Sequence, residues 1–412
     1  MNLRIRLFLA TGLLIAGGLV TLGEGVATAA NPLAGKPCYA LGSTTTVNYI
    51  KYTCISVKTT KVVKGKKVTT TSLVYNAGVQ QPIPPSLPTG NFDTSANPSN
   101  LIWQATFAGS QGSPINNPAS DATTKASVQN FNLYWTPVTG AGTYGTGEIE
   151  NNTTSATNLS LDGSGNLAIT AKCNSNCNTA NQPMGRNWTS ARIWTENKVN
   201  FQYGQLEARI WMPTGAFNWP AFWMMGQSFT NGTTNPLAGW PYCGELDIAE
   251  GLQQNLQDQA TIHSNIPGMS TDWGNGAGLT QVAPLTQSSM IGGWHNYGIL
   301  WKPNSITFIL DGVAWAMDTY NPTTKQVTQT AMVNGSPVST TYGPGTPFTA
   351  IGGNWPFNAP FFIILNDAIG GSGATYDRTL TSSSQSATGT MKIQWVRYYL
   401  YAGYGAVTLA KH

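Results

Sequence analysis

Trp240-Pro241-Tyr242-Cys243-Gly244-Glu245-Leu246-Asp247-Ile248-Ala249-Glu250-Gly251 crowds three carboxylates into six residues, in a chain with only 17 acids among 412 residues. Like charges this close repel, so a fold that keeps them together must compensate through exposure or a chemical task. A helix is a poor host. Positions 245, 247 and 250 spread round the wheel, and Leu246, Ile248 and Ala249 form no 3.6-residue stripe. A calcium loop fits no better, since Ile248 and Ala249 stand where oxygen ligands would be needed. In a strand, side chains alternate, so Glu245 and Asp247 share one face while Leu246 and Ile248 enter a core. Glu250 then falls out of phase. A bulge around Ile248 and Ala249 would add one residue and return it to the face of Glu245. Four effective steps would set the two Glu Cα atoms roughly 13 Å apart, near enough for long side chains to converge.

Working outward, the composition supports a β reading. Forty-five Gly, 14 Trp, 16 Tyr and 9% charged residues describe a chain of many turns and aromatics, and no long amphipathic helix period is visible. Asn166-Leu167-Ala168-Ile169-Thr170-Ala171, Ile306-Thr307-Phe308-Ile309-Leu310 and residues 391–399 read as strands, and Asp311-Gly312 is a strong hairpin turn. No fixed-period repeat is evident, which argues against a propeller. The expected architecture is all-β: a sandwich of two curved antiparallel sheets over residues 96–405.

The beginning of the chain is different. Residues 1–29 read as a secretory signal, with Arg4 and Arg6 before the apolar run Leu7 to Leu22 and Ala27-Thr28-Ala29 as a small-residue cleavage site. Residues 30–79 form a small β-rich region holding seven lysines (36, 51, 58, 61, 64, 66 and 67) and no acid. It is read as a few short strands with a turn at Lys64-Gly65-Lys66. A lysine-studded solubilising face is the ordinary reading of such a region, and attraction to an anionic polymer is the alternative. Cys38 and Cys54 are expected to pair in an exported region too small for its own core. Cys173 and Cys177 could also close a bond, and Cys243 is left over. The proline-rich residues 80–95 read as a linker.

Glu-Leu-Asp-Ile-Ala-Glu (245 to 250) resembles the Glu-x-Asp-x-x-Glu signature of glycoside hydrolase family 16, in the bulged form of its laminarinase-like endo-β-1,3-glucanases. The flanks carry the likeness further: Trp-Thr-Ser-Ala-Arg-Ile (188 to 193), Tyr-Gly-Gln-Leu-Glu-Ala-Arg-Ile (203 to 210), Trp-Pro-Ala-Phe-Trp-Met-Met-Gly (219 to 226), Trp-His-Asn-Tyr-Gly-Ile-Leu-Trp (294 to 301) and residues 355–366 are similar to that family, in its order. The resemblance implies a β-jelly roll whose concave sheet forms a cleft for a polysaccharide. It also implies a retaining mechanism in which Glu245 is the nucleophile, Glu250 the general acid/base and Asp247 the group that orients and tunes Glu245.

Four further residues are candidates for substrate contact. His263 follows the acids in a strand-like run; a hydrogen-bonded structural histidine is its alternative, and the resemblance favours the cleft. Arg192 could meet sugar hydroxyls or form a structural ion pair. Trp240 and Trp355, which opens Trp-Pro-Phe, are the candidate stacking platforms. Trp219 and Trp223 share a strand face and are expected in the core.

Gln394, Ala105 and Thr106 stand where the family often carries acids of a calcium site, so no metal and no cofactor are expected. Residues 252–257 and Asn366-Asp367 also depart from the family and leave the substrate open. The expected activity is that of a secreted, monomeric, endo-acting hydrolase of β-1,3-glucan with no nucleic-acid partner. The same chemistry on mixed-linkage glucan or a galactan, and a non-catalytic glucan-binding protein, are the alternatives.

Overall fold

The structure is a computed structural model that describes residues 33–47, 50–80, 86–92, 100–112, 131–141, 146–174, 187–213, 218–231, 238–252, 257–264, 277–282, 293–333, 336–342, 355–370 and 389–410. The expected signal segment, residues 81–85 and 93–95 of the linker and Cys177 lie outside them. Among the described residues no helix is long and apolar enough to cross a membrane. The chain divides into two compact units, Met1–Ile83 and Pro84–His412.

The smaller unit is a four-stranded antiparallel sheet of Thr44–Val47, Ile50–Val63, Lys66–Tyr75 and Val79–Gln80. The second and third of these strands, 14 and 10 residues long, are longer than the sequence suggests. The reason is the turn: Lys64 and Gly65 take φ of 50° and 74°, the two-residue geometry whose twist lets a hairpin continue. Pairing then runs unbroken from Val63↔Lys66 to Cys54↔Tyr75. Cys38 and Cys54 are disulfide-bonded.

The larger unit stacks two sheets. Among the described residues one has 13 strands and includes Gly204–Trp211, Trp294–Lys302, Ser305–Leu310, Val313–Asn321 and Gly389–Tyr399; the other has nine. Strand alternation supplies the core between them. Leu206, Ala208 and Ile210 face inward from the larger sheet, and Phe222, Met224, Leu246, Ile363 and Leu365 from the smaller, all in one buried cluster. Asp311-Gly312 makes its turn, joining the strands that end at Leu310 and begin at Val313. The architecture is the all-β sandwich read from the sequence.

The nine-stranded sheet carries the acids. Its central order is Gln257–Ser264, Glu245–Leu252, Asn218–Gly226, Phe361–Ile369, Arg192–Trp194. Two glycines fix where the acid strand begins. A Cβ at Gly226 would collide with the backbone carbonyl of Cys243, and Gly244 takes a φ of 80°, a left-handed conformation that suits glycine.

Candidate active site

Pairing along the acid strand is regular at first, with Met225↔Glu245, Met224↔Leu246 and Trp223↔Asp247. It then skips a residue and resumes with Phe222↔Ala249 and Ala221↔Glu250. The strand on the other side records the same shift between Asp247 and Glu250. Ile248 and Ala249 both sink into the core, where apolar burial favours the extra residue. Glu245, Asp247 and Glu250 therefore share the face turned away from that core. This is the bulge the spacing requires.

That face is nevertheless walled in. Asp247 is 3% exposed, Glu250 7% and Arg192 4%. Met225, Cys243, Phe362 and Ile364 form an apolar floor beside the acids, with Trp194, Trp223 and Trp240 packed on it. Cys243 is a free, buried thiol that donates to Met225 Sδ at 3.4 Å. Burial first, and then the nearby charge of Glu245, push this thiol well up, so it behaves as a small apolar residue. Cys173 is disulfide-bonded; its partner lies outside the described residues.

Each carboxylate has a distinct setting. Glu250 accepts from Trp219 Nε1 at 3.0 Å on one oxygen and from Gln259 Nε2 at 3.0 Å on the other. Asp247 Oδ2 lies 3.1 Å from His263 Nε2, and Glu245 hydrogen-bonds Asp247. Burial, then the Asp247 charge, raises Glu245 well above the usual carboxylate range, with His263 opposing. Asp247 is raised too, by burial and by Glu250. Carboxylates packed like this hold protons that isolated ones would release. Glu245, Asp247 and His263 each offer an atom within 4.8 Å of the others. Among the described residues this is the group a cation could use, and its mixed nitrogen and oxygen donors suit a transition metal better than calcium.

Three of the four expected contact residues stand on this face. The Arg192 guanidinium lies over the Trp223 ring, 4.8 Å from its centroid. His263 is the strand neighbour of Glu245, and the half-buried Trp240 ring lies 6.2 Å from the His263 ring.

Trp355 does not stand there. Its ring is 2% exposed in the core, stacked on Tyr320 at 5.4 Å and edge-on to Phe357 at 4.6 Å. A ring whose faces are occupied by protein offers no platform, so that expectation is corrected. The opposite correction applies to Trp219 and Trp223. They lie on the acid face, Trp219 holding Glu250 and Trp223 donating from Nε1 to Asn366 Oδ1 at 2.7 Å. Gln259 and Asn366, absent from the sequence candidates, belong to the same network. The available signal was their spacing: Gln259, Thr261 and His263 alternate along one strand, so placing His263 places Gln259.

The family model "Glycosyl hydrolases family 16" matches residues 142–358, just over half of the 412 residues. The chain is 26% identical over 301 residues to "Glucan endo-1,3-beta-glucosidase A1" of Niallia circulans, covering 73% of this chain and 38% of that protein. It is 30% identical over 221 residues to "Glucan endo-1,3-beta-glucosidase" of Cryptopygus antarcticus, covering 52% and 68%. Among solved structures, the laminarinase from Rhodothermus marinus superposes with a TM-score of 0.51 at 24% identity, over 74% of this chain and 98% of that one. This last likeness speaks for the fold alone. The chain spans under two fifths of the length of the Niallia relative and about two thirds of the Cryptopygus one. A bulged Glu-x-Asp-x-x-Glu strand in an all-β sandwich, together with the family match over residues 142–358, means that this chain belongs to glycosyl hydrolases family 16.

Proposed function

We propose that the protein is a secreted, endo-acting, retaining hydrolase of β-1,3-glucan. The observation that carries this reading is the register shift between Asp247 and Glu250, which turns three acids of one strand toward the same walled face. Two carboxylates flanking one acetal are what double displacement needs. The Glu245 carboxylate attacks the anomeric carbon while Glu250 protonates the departing glycosidic oxygen. Glu250 then takes a proton from water, whose oxygen displaces Glu245 from the sugar and regenerates both groups.

Asp247 supports the nucleophile by its hydrogen bond, and His263 stands against Asp247, its Nε2 3.1 Å from Oδ2. Arg192 and Trp240 supply polar and stacking contacts to the sugar. The names of the Niallia and Cryptopygus relatives support β-1,3-glucan as substrate, and the leader-like residues 1–29 support secretion.

Reducing-sugar release on laminarin, mixed-linkage β-glucan and agarose tests the reading. Laminarin is expected to be cleaved fastest, with the β-anomer formed first by NMR. Glu245→Gln should lower kcat at least about a thousandfold. Equal behaviour of wild type and Glu245→Gln on every substrate would overturn the hydrolase reading, and activity on agarose alone would replace the glucan.

A further inference from the structure

The smaller unit carries a feature that the sandwich does not use. In a sheet packed on a core, one face is buried. Here every residue from 58 to 72 is exposed, so the outer part of the hairpin made by Ile50–Val63 and Lys66–Tyr75 presents both faces to solvent. Five of its lysines sit on this ribbon and its tip: Lys58, Lys61, Lys64, Lys66 and Lys67. Register divides them. Lys58 and Lys67, which pairs with Val62, lie on one face; Lys61 and Lys66, which pairs with Val63, lie on the other. Diagonal neighbours on a sheet are about 7–8 Å apart, so Lys61 and Lys66 repel across the ribbon. Residues 30–80 contain no acid to relieve them.

From this geometry we infer that the hairpin is a docking site for an anionic polysaccharide bearing carboxylates. A bound chain of carboxylates supplies the counter-charges that the ribbon lacks. The threonine hydroxyls suit a hydroxyl-rich partner: Thr60 and Thr69 meet at 2.9 Å on the face of Lys58 and Lys67. A nucleic acid is a poorer occupant, because residues 58–72 have no aromatic ring on which bases stack and no arginine. A bilayer is poorer still, because the tip that would enter it, Lys64-Gly65-Lys66-Lys67, carries three charges and no Trp or Tyr.

The test is surface plasmon resonance of the full chain on immobilised polygalacturonate, with neutral dextran, duplex DNA and anionic lipid vesicles as parallel surfaces. Wild type is expected to bind polygalacturonate more tightly than any other surface, and to weaken as NaCl rises. The quadruple variant Lys58→Gln, Lys61→Gln, Lys66→Gln, Lys67→Gln should bind at least about tenfold more weakly, while the matching Lys→Arg variant keeps its affinity. Since the four side chains are exposed, both variants should retain the wild-type circular dichroism spectrum and laminarin hydrolysis. Undiminished binding by the Gln variant, equal binding to neutral dextran, or equal or tighter binding to DNA or vesicles would overturn the proposal. Failure of the glucanase reading would appear as inactive wild type and leave this binding result untouched.

Discussion

Glu250 receives one N–H on each carboxyl oxygen, from Trp219 and Gln259, and that fork fixes where its proton can be delivered. Trp219→Phe keeps the ring and removes the donor. We expect kcat on laminarin to fall about tenfold with KM little changed, as for the loss of an aiming contact; a change in KM alone would make Trp219 a binding residue instead. Asp247 acts on a different group. Glu245 is raised by burial first and by the Asp247 charge next, and it must be ionised to attack. Asp247→Asn should therefore lower kcat and also move the acid limb of the pH profile to lower pH, because the neighbouring negative charge is gone. An acid limb that stays in place would show that Asp247 does not set the ionisation of Glu245. The spacing of 245, 247 and 250 was enough to single these acids out. Trp219 could not be assigned that way, because Trp-Pro-Ala-Phe-Trp reads identically whichever face meets the core.

At the scale of the strand, the bulge decides the phase of Glu250. It lies three positions after Asp247, an odd offset that a regular strand would turn into opposite faces; the extra residue restores the match. Deleting Ile248 should straighten the strand and still leave the glutamate two steps from Asp247, on the same face. The cost is one buried isoleucine, about 2–5 kcal/mol of stability, read as a lower midpoint in urea. Activity should persist within about a hundredfold of wild type, on the estimate that a displaced but correctly facing acid loses that much. If the deletion were folded and as inactive as Glu250→Gln, the bulge would have a catalytic role beyond setting the phase. The small unit teaches the same lesson: alternation marked its strands, but the positive φ values of Lys64 and Gly65 let them run longer than their short pattern implied.

Across the whole molecule, buried acids make stability depend on pH. Asp318 lies in Val313–Asn321 beside the core residues Ala316 and Tyr320, and burial raises its carboxyl well above the ordinary 3.8, opposed only in part by its cross-strand neighbour Gln329. Below that ordinary value both the folded and unfolded chains hold the proton, and no stability is lost. As pH rises past it, the unfolded chain releases the proton first, so stability falls until the folded group ionises as well. Asp318→Asn should flatten this decline as pH rises above the ordinary carboxylate value of 3.8. All 14 tryptophans lie beyond residue 100, so urea unfolding followed by their fluorescence reports the larger unit; an unchanged slope would remove Asp318 as a cause. The sequence by itself determined the strand periods, the acid spacing and the charge asymmetry of residues 30–80, because each is a local property of chain order. Only the tertiary structure decided which sheet face became core. That choice moved Trp355 inward and Trp219 and Trp223 to the acids, because burial depends on what the second sheet covers.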